Sequence, residues 1–199
     1  MDPFYLGVYW GSRRESSLHC GERLAACLAT LGEIDEALGS WFRRAATKAA
    51  ARTPVDLNAG SLGRLLARSG VNRRDVDSEI IEELGFSFGL WNRARPVVGM
   101  SGTVGAYPSF PGVLNSVVLD FPHPEAESLR LYEPRVAEAI FDGVIAAWEP
   151  DWATWTSPAL RDAQRVVPRE PVVGWMSYLT IPGGVDLPGV TSRSVLGGT

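Results

Sequence analysis

The sequence predicts an α+β fold: a mostly antiparallel sheet with a central meander, packed against two or three helices. Three observations predict it. Segments 12–31 and 134–148 carry apolar residues at helical spacing. Segments 84–92, 97–107 and 115–121 read as strands joined by short connections, for which a three-stranded antiparallel meander is the simplest arrangement. No internal repeat or low-complexity linker divides the 199 residues, so the chain reads as a single domain over 1–199, long enough to bury a core.

The elements follow in order. FYLGVYW (4–10) alternates and is rich in aromatic and β-branched residues, as a strand is, and Gly11-Ser12 ends it. Ser12-Arg13-Arg14-Glu15 fits a capping box and places a helix start there. Cys20, Leu24, Cys27, Leu28 and Leu31 then form one buried stripe. SWFRR (40–44) reads as a short strand, KAAARTPVD (48–56) as loop, and LNAGSLGRLLARSG (57–70) as a short helix closed by Gly70. In LGFSFGLWN (84–92), Phe86, Phe88 and Leu90 take one face and Ser87, Gly89 and Trp91 the other. VVGMSGTVGAY (97–107) and NSVVLDF (115–121) complete the meander around a Pro/Gly turn, PSFPG (108–112). Pro134 suits the first turn of a long helix whose buried stripe is Ala137, Ile140, Phe141, Val144, Ile145 and Trp148; Pro150 stops it. SPALRDA (157–163) reads as a short turn of helix, VVGWMSYLT (172–180) as a strand, and the tail from Ile181 as loop with a last strand at 192–196.

Composition narrows the function. A hydrophobic fraction of 45% with 21% charge excludes wholesale disorder. Net charge of −4 argues against a nucleic-acid binder that relies on a broad basic surface and is compatible with a basic protein partner. The N-terminus reads as no signal peptide, and no stretch approaches the roughly 18 apolar residues of a membrane span. Cys20 and Cys27, seven apart on one helix face, cannot bridge each other and read as buried thiols in a reducing compartment.

Catalytic patterns are missing. His19 and His123 stand in no metal-ligand spacing. Gly99-Met100-Ser101-Gly102-Thr103 lacks the final glycine of a nucleophile elbow and lies mid-strand. No glycine-rich phosphate loop occurs, and the acids at Asp75/Asp77 and Glu82-Glu83 read as solvated faces. No catalytic residue, cofactor site or metal site is predicted.

Two features stand out. Arg13 and Arg14 fall in the predicted first helical turn, where cations oppose the macrodipole and Glu15 is the acid at hand to offset them. AAWEPDWATWTS (146–157) sets Trp148, Trp152 and Trp155 within eight positions, with Glu149 and Asp151 between them. Trp148 belongs to the buried stripe. Trp152 and Trp155 are neighbours on a helix but point to opposite faces of a strand. In an extended segment one faces outward, and with the two acids it has the character of an interface anchor; the competing reading packs all three inside.

The runs YLGVYWGSRRES (5–16), SWFRR (40–44), DSEIIEELGFSFGLWN (77–92), NSVVLDFP (115–122), AAWEPDWATWTS (146–157) and VGWMSYLT (173–180) together resemble the immunity protein 52 family, in order and over nearly the whole chain. The resemblance implies an α+β fold without catalytic residues or cofactor. It also implies a cytoplasmic bacterial protein that binds and neutralises a cognate nuclease toxin of restriction-endonuclease-like fold (the Tox-REase class), delivered between competing bacteria by a polymorphic-toxin or type VI secretion system. The family's motifs do not say which positions touch toxin. The candidate contacts are therefore those of the residue reading: Arg13, Arg14, Glu15, Trp91, Glu149, Asp151, Trp152 and Trp155. Direct contact with nucleic acid or membrane is not expected. The competing readings are a small hydrolase using Ser101 or a carboxylate, and a sugar- or base-stacking module using the tryptophans. The chain departs from the family pattern at its end, GGT, where a further hydrophobic strand is expected.

Overall fold

A computed structural model of the chain describes residues 3–44, 50–109, 115–125, 128–164, 170–180 and 191. In chain order these form β1 (Phe4–Trp10), α1 (Ser17–Ile34), β2 (Phe42–Arg43), α2 (Ala59–Ser69), β3 (Phe86–Trp91), β4 (Gly99–Val104), β5 (Asn115–Phe121), α3 (Pro134–Trp148), β6 (Trp152–Thr156), α4 (Pro158–Ala163) and β7 (Met176–Leu179). The strands make a seven-stranded sheet in the order β2-β3-β4-β5-β1-β6-β7, antiparallel at every pairing. The predicted meander is β3-β4-β5. The N-terminal strand inserts between β5 and β6. The strand expected at 192–196 and most of the PSFPG turn lie outside the described residues.

One face of the sheet is the core. Leu6, Val8 and Trp10 of β1, Leu90 of β3, Met100 and Val104 of β4, Val117, Leu119 and Phe121 of β5, and Ala153 and Trp155 of β6 point to it, all buried. The predicted stripes of α1 and α3 are buried against them without exception. Burial of this kind contributes about 25 cal/mol per Å² of apolar surface removed from water, and it decides which face of each element turns inward. The crossing of α1 with α2 is closer than side chains permit. A Cβ on Gly21 would lie 2.5 Å from the Gly63 nitrogen and 2.6 Å from the Ala59 oxygen, so the two helices meet backbone to backbone.

The start of α1 differs from the capping-box expectation. The helix begins at Ser17, capped by Ser16, whose Oγ accepts from the His19 N–H at 3.2 Å. Residues 11–15 instead run on irregularly from β1. The Gly11 N–H donates to Asp151 Oδ2 (2.8 Å) and the Arg13 N–H to the Ala106 carbonyl (2.9 Å). Glu15, which a capping box needs to turn back on Ser12, is held by the guanidinium groups of Arg13 and Arg23 and by the imidazole of His19. Arg13 and Arg14 therefore precede α1 and do not oppose its dipole.

Candidate partner-binding surface

Five of the residues singled out in the sequence lie around the C-terminal end of α3. The helix ends at Trp148, and Glu149 takes a left-handed conformation (φ 46°), turning the chain before Pro150. Two guanidinium groups cover the helix end. Arg13 donates to the carbonyls of Trp148 (2.7 Å) and Glu149 (3.3 Å), and Arg23 of α1 donates to that of Ala147 (2.9 Å). These carbonyls have no partner within the helix, and cations placed there complement the negative end of its dipole. Glu15 sits between the two arginines, 2.8 Å from Arg23 and 3.3 Å from Arg13, with its side chain only 6% exposed. Arg23 also holds Glu149 at 2.8 Å; this hydrogen bond and charge keep the Glu149 carboxyl below its ordinary range. Arg13 and Glu15 thus fasten α3 to the β1–α1 connection, while Glu149 (side chain 60% exposed) and Asp151 present carboxylates at the surface.

β6 is extended, so its two tryptophans part. Trp155 pairs across from Leu6, is fully buried and stacks on Phe121 at 4.5 Å. As a contact candidate Trp155 is corrected to core, because the strand's period of two sends it inward with Ala153. Trp152 faces the other way. It pairs with Tyr9 and stacks on its ring at 4.1 Å, half-buried, next to Asp151. Trp148 is core as predicted, stacked on Trp10 at 5.6 Å.

Register places Trp152 on a continuous outer face. One row across the sheet reads Ser87, Thr103, Ser116, Tyr9, Trp152; the next Gly89, Ser101, Val118, Gly7, Thr154; the third Trp91, Gly99, Asp120, Tyr5, Thr156. Trp152 and Trp91 occupy opposite corners of this face, and Thr154 and Thr156 on its β6 side are fully buried. Arg14 belongs to neither corner. Its guanidinium lies over the Tyr107 ring (4.8 Å) and within 3.9 Å of Glu82. The structure thus gathers Arg13, Glu15, Glu149, Asp151 and Trp152 at one edge and leaves Trp91 and Arg14 apart.

Exposed apolar groups that escaped the sequence reading include Trp175, Val76 and Val97. Trp175 is 56% exposed, in ring contact with Phe4 (4.2 Å) and Tyr132 (6.2 Å). Its segment reads as a strand from 172, but β7 starts only at Met176, and Trp175 lies just before it. Val76 is 98% exposed between Asp75 and Asp77, and its D-V-D setting was the available signal.

Among the described residues Ser101 and His19 stand on different elements and in different settings. Ser101 lies mid-strand on β4, opposite Val118 and Gly89, while His19 is engaged with Glu15 and Glu22 at the start of α1. Burial pushes the thiols of Cys20 and Cys27 up to about 12. Among the described residues no three His, Cys, Asp or Glu side chains gather as metal ligands, and no described helix is long and apolar enough to cross a membrane.

In comparison with known proteins, the family described as Immunity protein 52 matches residues 2–192, nearly the whole chain. No curated protein sequence matches at a significant level. Among solved structures, a Pseudomonas aeruginosa T6SS protein is similar at 12% identity and a TM-score of 0.42, over 78% of this chain. The present chain spans only 42% of that longer one.

Proposed function

The chain belongs to the Immunity protein 52 family, and from that membership we propose that it binds a nuclease toxin of restriction-endonuclease-like fold in the cytoplasm of the producing cell and neutralises it, with no turnover of its own. The toxin reaches competing bacteria through a polymorphic-toxin or type VI secretion system. The observation that carries the reading is the corner where Trp152, stacked on Tyr9, stands beside Asp151 and Glu149. A rigid aromatic with a polar rim has the composition of a binding hot spot. A nuclease must offer a basic cleft to phosphates, and carboxylates facing such a cleft speed association and fix its register. Glu149 suits that role because Arg23 favours its charged form.

The test is calorimetric titration of the purified chain with the toxin domain encoded by the neighbouring gene, alongside a nuclease assay of the mixture. Saturable binding that abolishes the toxin's cleavage is expected. Hydrolytic turnover by the purified chain, with no heat of binding to toxin, would sink the proposal.

A further inference from the structure

The corner of the outer face opposite Trp152 holds a cavity of about 470 Å³, lined among others by Arg44, Trp91, Val97, Gly99 and Asp120. Arg44 extends the β2–β3 pairing, its N–H donating to the Gly89 carbonyl at 3.0 Å. Its side chain then passes over Gly99 of β4, where a Cβ would fall 2.1 Å from Arg44 Nη2 and would push the guanidinium aside. The guanidinium reaches Asp120 Oδ2 at 3.3 Å, and both side chains stay about half exposed, at 52% and 54%. The opposite wall is Trp91 with Val97, itself 51% exposed. Asn92, buried between them, braces that wall: it donates to the carbonyls of Ala37 (3.0 Å) and Pro96 (2.9 Å) and accepts from the Val98 N–H (2.9 Å). These bonds hold the 92–98 connection that carries Val97 in place.

Its surroundings are basic although the chain is acidic overall. Arg52 and Arg93 are both exposed nearby, Arg93 lying over the Phe42 ring (5.1 Å), which in turn contacts Trp91 (6.4 Å). Asp120 is the one carboxylate among the described residues that line the cavity. A planar guanidinium set beside an aromatic wall is the arrangement that takes a carboxylate by a two-pronged hydrogen bond. A nucleic acid fits less well. Nucleic acid needs a basic track along its backbone, and here Asp120 stands beside Arg44.

We propose that this pocket receives a carboxylate side chain of the toxin, with Arg44 as the fork that binds it and Trp91 and Val97 as its apolar wall. The proposal rests on the toxin-binding reading and adds a second contact to it. Strand spacing puts Trp91 and Trp152 roughly 19 Å apart across the sheet and roughly 13 Å along it. One interface of ordinary size, about 800 Å² on each side, covers both.

Fluorescein-labelled hexaglutamate is the direct probe, with hexalysine and a short oligothymidylate as controls, titrated by anisotropy at low salt. The toxin domain is titrated in parallel. The variants are Arg44→Glu, which reverses the fork, and Val97→Glu, which places a carboxylate at the pocket's mouth from an already exposed position. Both should keep the wild-type melting profile, weaken hexaglutamate at least fivefold and weaken toxin at least tenfold. Unchanged toxin affinity in both variants overturns the pocket while leaving the toxin reading intact. A wild-type chain that binds hexaglutamate through Arg44 but binds no toxin overturns the toxin reading, and with it the source assigned to the carboxylate. Oligothymidylate binding tighter than hexaglutamate, and lost in Arg44→Glu, overturns the proposal in favour of a nucleic-acid contact.

Discussion

Trp148 and Trp155 are fully buried, whereas Trp152 keeps part of its ring in solvent, so one substitution has different consequences at each position. Trp148→Ala and Trp155→Ala each remove a core indole stacked on another ring, and large-to-small changes of this kind cost about 3–5 kcal/mol. Both should lower the urea midpoint markedly. Trp152→Ala loses mainly its stack on Tyr9, a contact of about 0.5–1.5 kcal/mol, and should leave a cooperative fold. It should instead weaken toxin binding at least tenfold, about 1.4 kcal/mol. Equal destabilisation by all three would return the whole cluster to the core. The cysteines give a second check. Burial pushes both thiols up to about 12, so near neutral pH neither carries the thiolate that reacts. Ellman's reagent should label neither in the native protein and both in urea; rapid native labelling would show that α1 opens at its buried stripe.

The fastening of α3 acts at the scale of elements. Arg23, only 17% exposed, joins α1 to both Glu15 and Glu149 and to the helix end itself. Arg23→Ala removes these bonds and leaves Glu15 enclosed with less compensation, so a loss of about 2–3 kcal/mol is expected, the range for charged hydrogen bonds at a partly enclosed site. Glu149 supplies the pH dependence. Its folded carboxyl lies below the ordinary value of 4.5, first through the Arg23 hydrogen bond. The stability it adds is thus present above that value and lost as pH falls through the folded one. Glu149→Gln should lower the urea midpoint modestly at neutral pH and leave it unmoved in acid; an equal effect at both would mean the pair contributes nothing.

The same elements show what the sequence could and could not reveal. The stripe of α3 was legible because six apolar positions at one spacing admit a single buried face. The start of α1 was not, because Glu15 is claimed by Arg23, a partner outside the local window. Which of Trp152 and Trp155 turns outward depends on β6 pairing with β1, as Tyr9 with Trp152 and Leu6 with Trp155, and no local stretch of sequence contains that pairing. Trp91 was legible as the outward residue of its strand, but its pocket was not: the cavity needs Arg44 to cross glycines on two other strands.

Over the whole molecule, charge is segregated along β3. Beyond its Phe86 end, residues 72–83 are exposed except at Asn72 and Ile81, and they hold Asp75, Asp77, Glu79, Glu82 and Glu83 against Arg73 and Arg74. Five carboxylates against two arginines leave −3 of the chain's −4 in this one excursion. The arginines of the β2 edge lie at the other end of the strand. Such a separation steers an approaching basic surface before any contact forms, and salt screens it over a Debye length of about 10 Å at 0.1 M. Association with a nuclease toxin should therefore slow steeply as salt rises, while dissociation, set by the desolvated contacts around Trp152, changes little. Asp75→Asn with Asp77→Asn should slow stopped-flow association at low salt and flatten its salt dependence, without altering the melting profile, because both side chains are exposed and an asparagine Oδ1 can still accept the Glu79 N–H that Asp77 accepts at 3.0 Å. An association rate indifferent to salt and to these substitutions would mean that the toxin docks by an apolar route, for which the exposed Trp175 and its ring partners Phe4 and Tyr132 are the next surface to substitute.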